Sequence, residues 1–174
     1  MNKEFSRNMK KQSFFLHVCY ISSLMMFSLA TISAQDKPLD IFGGISGENW
    51  EGHFVDSEDS TYTHVISWEH MLDDKAVVET KSVAELNFEM VTYYYFDWEK
   101  DQVSFLSLLN KDLSSTGIVY AEKSKITLEG RTFYQGGSYE FRKSLELQKN
   151  GTLLEDFFRK KDGKWVQGHL IEYR

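Results

Sequence analysis

The chain has 174 residues, one cysteine, one proline and a formal net charge of −6 at pH 7. An acidic balance of this kind repels phosphate backbones and anionic bilayers, which argues against nucleic acid or an acidic membrane surface as partner. A single cysteine excludes an intrachain disulfide framework, and a single proline leaves nearly every residue able to donate to a backbone ladder.

The first residues read as an export signal. Lys3, Arg7, Lys10 and Lys11 make a basic start, Phe14 to Ile32 is mostly apolar, and Ser33 and Ala34 precede the polar Gln35-Asp36-Lys37-Pro38. That order is a secretory signal peptide over residues 1–34, with cleavage expected after Ala34. An uncleaved anchor is the competing reading, but His17, Ser22 and Ser23 interrupt the apolar run and no basic stop-transfer cluster follows. The expected mature domain, 35–174, is then periplasmic or secreted, with no membrane insertion after processing. Losing Cys19 with the signal leaves it without thiol chemistry, and losing Lys3, Arg7, Lys10, Lys11 and Glu4 takes its net charge to near −9. Packing, not crosslinks, must hold such a domain together.

A short apolar lead-in, Leu39 to Ile45, has room for one helical turn and carries Gly43 and Gly44. Ten strands are expected after it, beginning near Trp50, Thr61, Ala76, Phe88, Gln102, Ser115, Lys125, Ser138, Thr152 and Lys164. Between them lie Asp73-Asp74, Lys100-Asp101, Gly136-Gly137, Asn150-Gly151 and Asp162-Gly163. Asn-Gly and Asp-Gly suit type I′ hairpin turns, whose two central residues both need positive φ. No stretch has the helical period that a crossover would need, so strands adjacent in sequence should pair antiparallel.

Alternation assigns the faces. Tyr62, His64, Ile66 and Trp68 share one side of the second strand, and Phe88, Met90, Tyr94, Phe96 and Trp98 one side of the fourth. Tyr139, Phe141, Leu145 and Leu147 line up on the eighth, with Trp165, His169, Ile171 and Tyr173 on the tenth. One apolar face per strand means one buried side. Consecutive hairpins then favour an all-β, closed antiparallel meander barrel over a sandwich, because closure removes both edges.

Three segments carry a family resemblance: Trp50-Glu51-Gly52, Tyr93-Tyr94-Tyr95-Phe96-Asp97, and Asp162-Gly163-Lys164-Trp165 running through to Tyr173-Arg174. With them the chain resembles the calycin-type small barrels: lipocalins, fatty-acid-binding proteins and bacterial lipocalin-like proteins. The resemblance implies a barrel that holds a small apolar or anionic ligand. The expected contacts are Tyr62, His64, Ile66, Trp68, Met90, Tyr94, Phe141, Lys143, His169 and Tyr173.

Lys143 is the most informative of these. It is in phase with Tyr139, Phe141, Leu145 and Leu147, where a lone ammonium is costly. It is expected to anchor an anionic head group, as inward basic residues do in fatty-acid-binding barrels, to pair with Glu155 on the next strand, or to snorkel to the barrel rim. Arg159 raises the same question.

His64 and His169 both point inward but stand two strand spacings apart, about 9–10 Å, too far to share one metal ion. His53 has the opposite parity, so no metal site is expected. The chain also resembles nitrobindin-like barrels, which place a haem-ligating histidine near the chain end, and His169 sits similarly. Bulky Phe54 is expected to fill the space where the porphyrin of such a barrel would lie, so no cofactor is expected, with a haem-binding barrel ligating through His169 as the alternative.

No catalytic residue is assigned, since Ser, His and Asp occur without a nucleophile elbow or glycine-rich loop. Bulky inward residues on most strands keep a second reading open, a filled structural or interaction barrel without ligand. Tyr93 and Tyr95, if outward, would mark a surface for a homodimer.

Overall fold

The computed structural model describes residues 37–55 and 61–174, so the expected signal segment, 1–34, lies outside the described residues. The ten strands are β1 (Asn49–Phe54), β2 (His64–Met71), β3 (Ala76–Val83), β4 (Phe88–Asp97), β5 (Gln102–Leu109), β6 (Leu113–Glu122), β7 (Lys125–Tyr134), β8 (Gly137–Leu147), β9 (Leu153–Lys161) and β10 (Lys164–Tyr173). Each pairs antiparallel with the next, and β1 closes the ring on β10 through Gly52↔Tyr173, His53↔Glu172 and Phe54↔Ile171. The fold is an all-β, ten-stranded antiparallel meander barrel with no free edge.

Turn chemistry sets the register. Asp162 and Gly163 both have positive φ, 52° and 76°, as the type I′ reading requires. Asn150-Gly151 departs from it: only Gly151 is left-handed, while Asn150 Oδ1 accepts bonds from the Thr152 backbone N–H at 3.2 Å and its hydroxyl at 2.9 Å. The side chain of Asn150 thus closes an Asx-type loop between β8 and β9, in place of a two-residue hairpin.

The lead-in plugs one end of the barrel. A single 3-10 turn, Asp40–Phe42, directs Leu39, Phe42 and Ile45 into the interior. Phe42 packs on Tyr94 with ring centroids 4.5 Å apart, and the Trp50 indole donates to the Ile45 carbonyl at 3.0 Å. Above the plug, Ile66, Trp68, Val77, Tyr94, Phe105, Leu145, Leu153, Ile171 and Tyr173 pack into a solid core. Burial contributes about 1.5–3 kcal/mol for each large apolar side chain.

Two expected face assignments are corrected. Gly168 forms a bulge: the register passes from Gln167↔Phe158 to His169↔Phe157, and the parity of β10 flips there. Trp165 therefore does not share a face with His169. It lies outside, opposite Lys160, with the Arg142 guanidinium 5.0 Å from its ring. Trp98 stands beyond the end of β4 in the following turn and is 85 % exposed, resting edge-on against Phe96.

Candidate functional site

The other half of the barrel is hollow. A cavity of about 290 Å³ lies within it, reaching the end that carries the β3–β4, β5–β6 and β7–β8 connections. Phe88, Met90, Leu109, Leu113, Phe141 and Phe157 provide its apolar wall. Lys81, Lys143 and Glu155 provide its charge, with the His169 imidazole beside them. Four interior serine and threonine hydroxyls are paired with one another, Ser115 with Thr132 at 2.9 Å and Thr92 with Ser107 at 2.8 Å.

Two buried ion pairs form the floor. Lys143 Nζ donates to Glu79 at 3.0 and 3.4 Å, and Glu79 also accepts from the Trp68 indole at 3.3 Å and from the Tyr94 hydroxyl. Lys81 Nζ donates to Glu155 Oε1 at 2.6 Å, His169 Nε2 lies 3.0 Å from the same oxygen, and the Tyr173 hydroxyl donates to Oε2 at 3.3 Å. Burial alone would push the Glu155 carboxyl up, but Lys81, Lys143 and His169 hold it well below the usual range. Burial would likewise lower Lys143, yet Glu79 and Glu155 raise it above the ordinary lysine value. Both carboxylates and their lysines belong to one closely coupled cluster.

The ten expected contact residues divide between the two halves. Met90, Phe141, Lys143 and His169 line the cavity together. Ile66, Trp68, Tyr94 and Tyr173 belong to the packed core, where Trp68, Tyr94 and Tyr173 serve the carboxylates. Tyr62 precedes β2, and its backbone carbonyl lies 3.0 Å from His53 Nδ1. His64 is buried with neither ring nitrogen bonded, edge-on to Phe54 at 4.5 Å.

Lys143 points inward, but its hydrogen-bonded carboxylate is Glu79, not Glu155 as the neighbouring-strand reading expected. Sequence reasoning missed Glu79 and Lys81 altogether. They share parity with Val77 and Val83, but Ala76 and Val78 make the other face of β3 apolar as well.

The phenyl ring of Phe54 stands between the two inward imidazoles, 4.5 Å from His64 and 5.7 Å from His169. Among the described residues no three His, Cys, Asp or Glu side chains gather as a metal site would require. Around His169, Nε2 is engaged by Glu155, and the ring lies flat on Phe157, 4.9 Å away at 6°.

Outside the barrel, Tyr93 and Tyr95 are exposed beside Leu106 and Leu108 on neighbouring β5. A second, open furrow crosses the outer wall near Tyr120, Arg142 and Trp165. Two of its charged side chains are committed, Arg142 to Glu129 at 2.6 Å and Asp156 to Gln167 at 2.9 Å. Comparison with protein-family models and with curated proteins finds no match for this chain.

Proposed function

We propose that this protein is an exported binding barrel of the calycin type that holds one small amphipathic anion. The apolar part of the ligand lies against Met90, Leu113, Phe141 and Phe157, and its anionic group meets Lys81 and Lys143. One observation carries the reading: an apolar cavity ends on two ammonium groups with donors to spare. Each ammonium has three N–H donors. The carboxylates take one from Lys81 and at most two from Lys143. Glu155 already accepts from Lys81, His169 and Tyr173, so the wall offers surplus donors and an acceptor ligand matches it.

The test is a pair of calorimetric titrations, octanoate against octanol, with native mass spectrometry of the purified protein. Octanoate should bind as one molecule per barrel and at least about tenfold more tightly than octanol, as a charge-assisted contact predicts. If neither binds and the purified protein carries no small molecule, the barrel is a structural one.

A further inference from the structure

We infer that the cavity also performs proton transfer, with His169 as a general base acting on the carbon beside a carbonyl of an anionic oxo acid. The inference rests on the binding reading above and adds a reaction to it. A site for binding alone needs cations and apolar walls. This one also holds an imidazole fixed by a buried carboxylate.

Glu155 is 1 % exposed and held ionised by its neighbours, so it can only accept. His169 Nε2, 3.0 Å away, must therefore carry the proton of the neutral ring, which leaves the lone pair on Nδ1. No hydrogen bond engages Nδ1 among the described residues, and its ring forms part of the cavity wall. Stacking on Phe157 at 6° fixes the plane of that ring. A base oriented through its second nitrogen by a carboxylate is an arrangement that catalysis uses repeatedly.

The surroundings select the reaction class. The serine and threonine hydroxyls of this half are bonded in pairs, and backbone N–H groups inside a closed barrel are spent on the ladder, so neither a freed serine or threonine nucleophile nor a backbone oxyanion hole is at hand. What remains beside the base is positive charge on Lys81 and Lys143. That combination suits enolisation. The C–H bond at the α-carbon breaks, its proton passes to Nδ1, and its electron pair becomes the C=C bond. The carbonyl π pair moves onto oxygen, where an ammonium stabilises it. Return of the proton to carbon from the imidazolium completes the cycle without any oxidant or co-reactant. His169 is the catalytic residue and Glu155 its positioning residue.

The experiment follows exchange of the C3 protons of 4-methyl-2-oxopentanoate in deuterium oxide by NMR, with binding of the same acid measured by calorimetry. Exchange should exceed the buffer rate, and H169N should bind the acid yet lower the enzymic rate constant by about 100-fold or more. Ring ¹⁵N shifts of His169 should report the Nε2–H form in the parent and a mixture of tautomers in E155Q, a readout that a merely structural carboxylate would not move. Binding without exchange, or exchange unchanged in H169N, overturns the inference and leaves the binding barrel standing. Absence of binding by both this acid and octanoate overturns both.

Discussion

Lys143 and Glu79 meet across the lumen from strands on opposite sides of the ring: β8 and β3 are five strand steps apart in either direction, yet Nζ lies 3.0 Å from Oε1. Two residues on, Lys81 repeats the span with reversed sign, reaching Glu155 on β9 at 2.6 Å. The alternation of sign along β3 matches the opposing wall in one register only. A slip by one residue would turn Glu79 and Lys81 outward and leave Lys143 and Glu155 buried without the ion pairs these two supply. These pairs brace the boundary between the packed half and the hollow half.

Removing one member of the brace should be costly and removing both should not. Glu79 is 0 % exposed, and Lys143→Met would leave it with only the Trp68 and Tyr94 donors. The expected loss is about 3–5 kcal/mol in urea denaturation. Adding Glu79→Gln, whose amide oxygen can still accept from those donors, should return most of it. Additive losses in the double variant would mean that the two residues are not energetically coupled.

The meander and its closure were legible because side-chain alternation is a property of the extended backbone and Asp162-Gly163 supplies the conformation its hairpin requires. The inward placement of Lys143 followed from its phase with Tyr139, Phe141, Leu145 and Leu147. Its partner did not follow. Glu155 faces Leu145 in the register and is only a diagonal neighbour of Lys143, whereas in a narrow barrel a side chain across the lumen comes just as near. Glu79 and Lys81 were hidden because β3 carries Val77 and Val83 on one face but Ala76 and Val78 on the other, so hydrophobicity cannot choose between them. Trp165 was misplaced by the bulge at Gly168, which shifts parity without changing composition. Plug and cavity were beyond pattern reading, since inward residues look alike at both ends of a strand.

Gly117 and Gly130 form a cross-strand pair on β6 and β7 beneath the Phe105 ring. A Cβ on Gly117 would stand 2.1 Å from the Glu129 carbonyl oxygen and 2.8 Å from Phe105 Cε1. The ring can tilt away but the carbonyl cannot leave the ladder. Gly117→Ala should therefore destabilise the barrel by about 3 kcal/mol, at the upper end for overpacking. A thermal melt of that variant indistinguishable from the parent's would show that the sheet can flex there.

His64 makes stability fall with acid. Burial first, then the charge of Lys81, lowers its pKa from 6.5 to about 4. Below pH 6.5 the unfolded chain protonates this imidazole while the folded barrel does not, so the unfolded state binds more protons. Stability is lost as pH falls from 6.5 towards 4, by at most about 3 kcal/mol. His64→Leu should remove that part of the slope. It should also stabilise the protein at pH 7 by about 1 kcal/mol, because both ring nitrogens are buried without partners. Urea titrations at pH 7.5 and 4.5 on both proteins give the comparison. Parallel losses between the two pH values would assign the acid sensitivity elsewhere.

The position of the ligand can be separated from the stability of the floor by blocking the mouth. Leu109 and Leu113 face each other at the paired ends of β5 and β6, both line the cavity, and both are only half-buried. An indole at position 113 can spread over the opening without entering the packed core, which lies towards the opposite end. Leu113→Trp should change stability by less than about 1 kcal/mol, as substitutions outside a tight core usually do. The ion pairs of Lys81 and Lys143 lie deeper and are untouched by the change. Octanoate affinity should nonetheless fall by about tenfold or more, since the apolar chain loses its channel while the head-group donors stay in place. Calorimetry and urea denaturation on the same preparation give both quantities. Lost affinity with kept stability assigns the ligand to the cavity, whereas unchanged affinity moves it to another surface of the barrel.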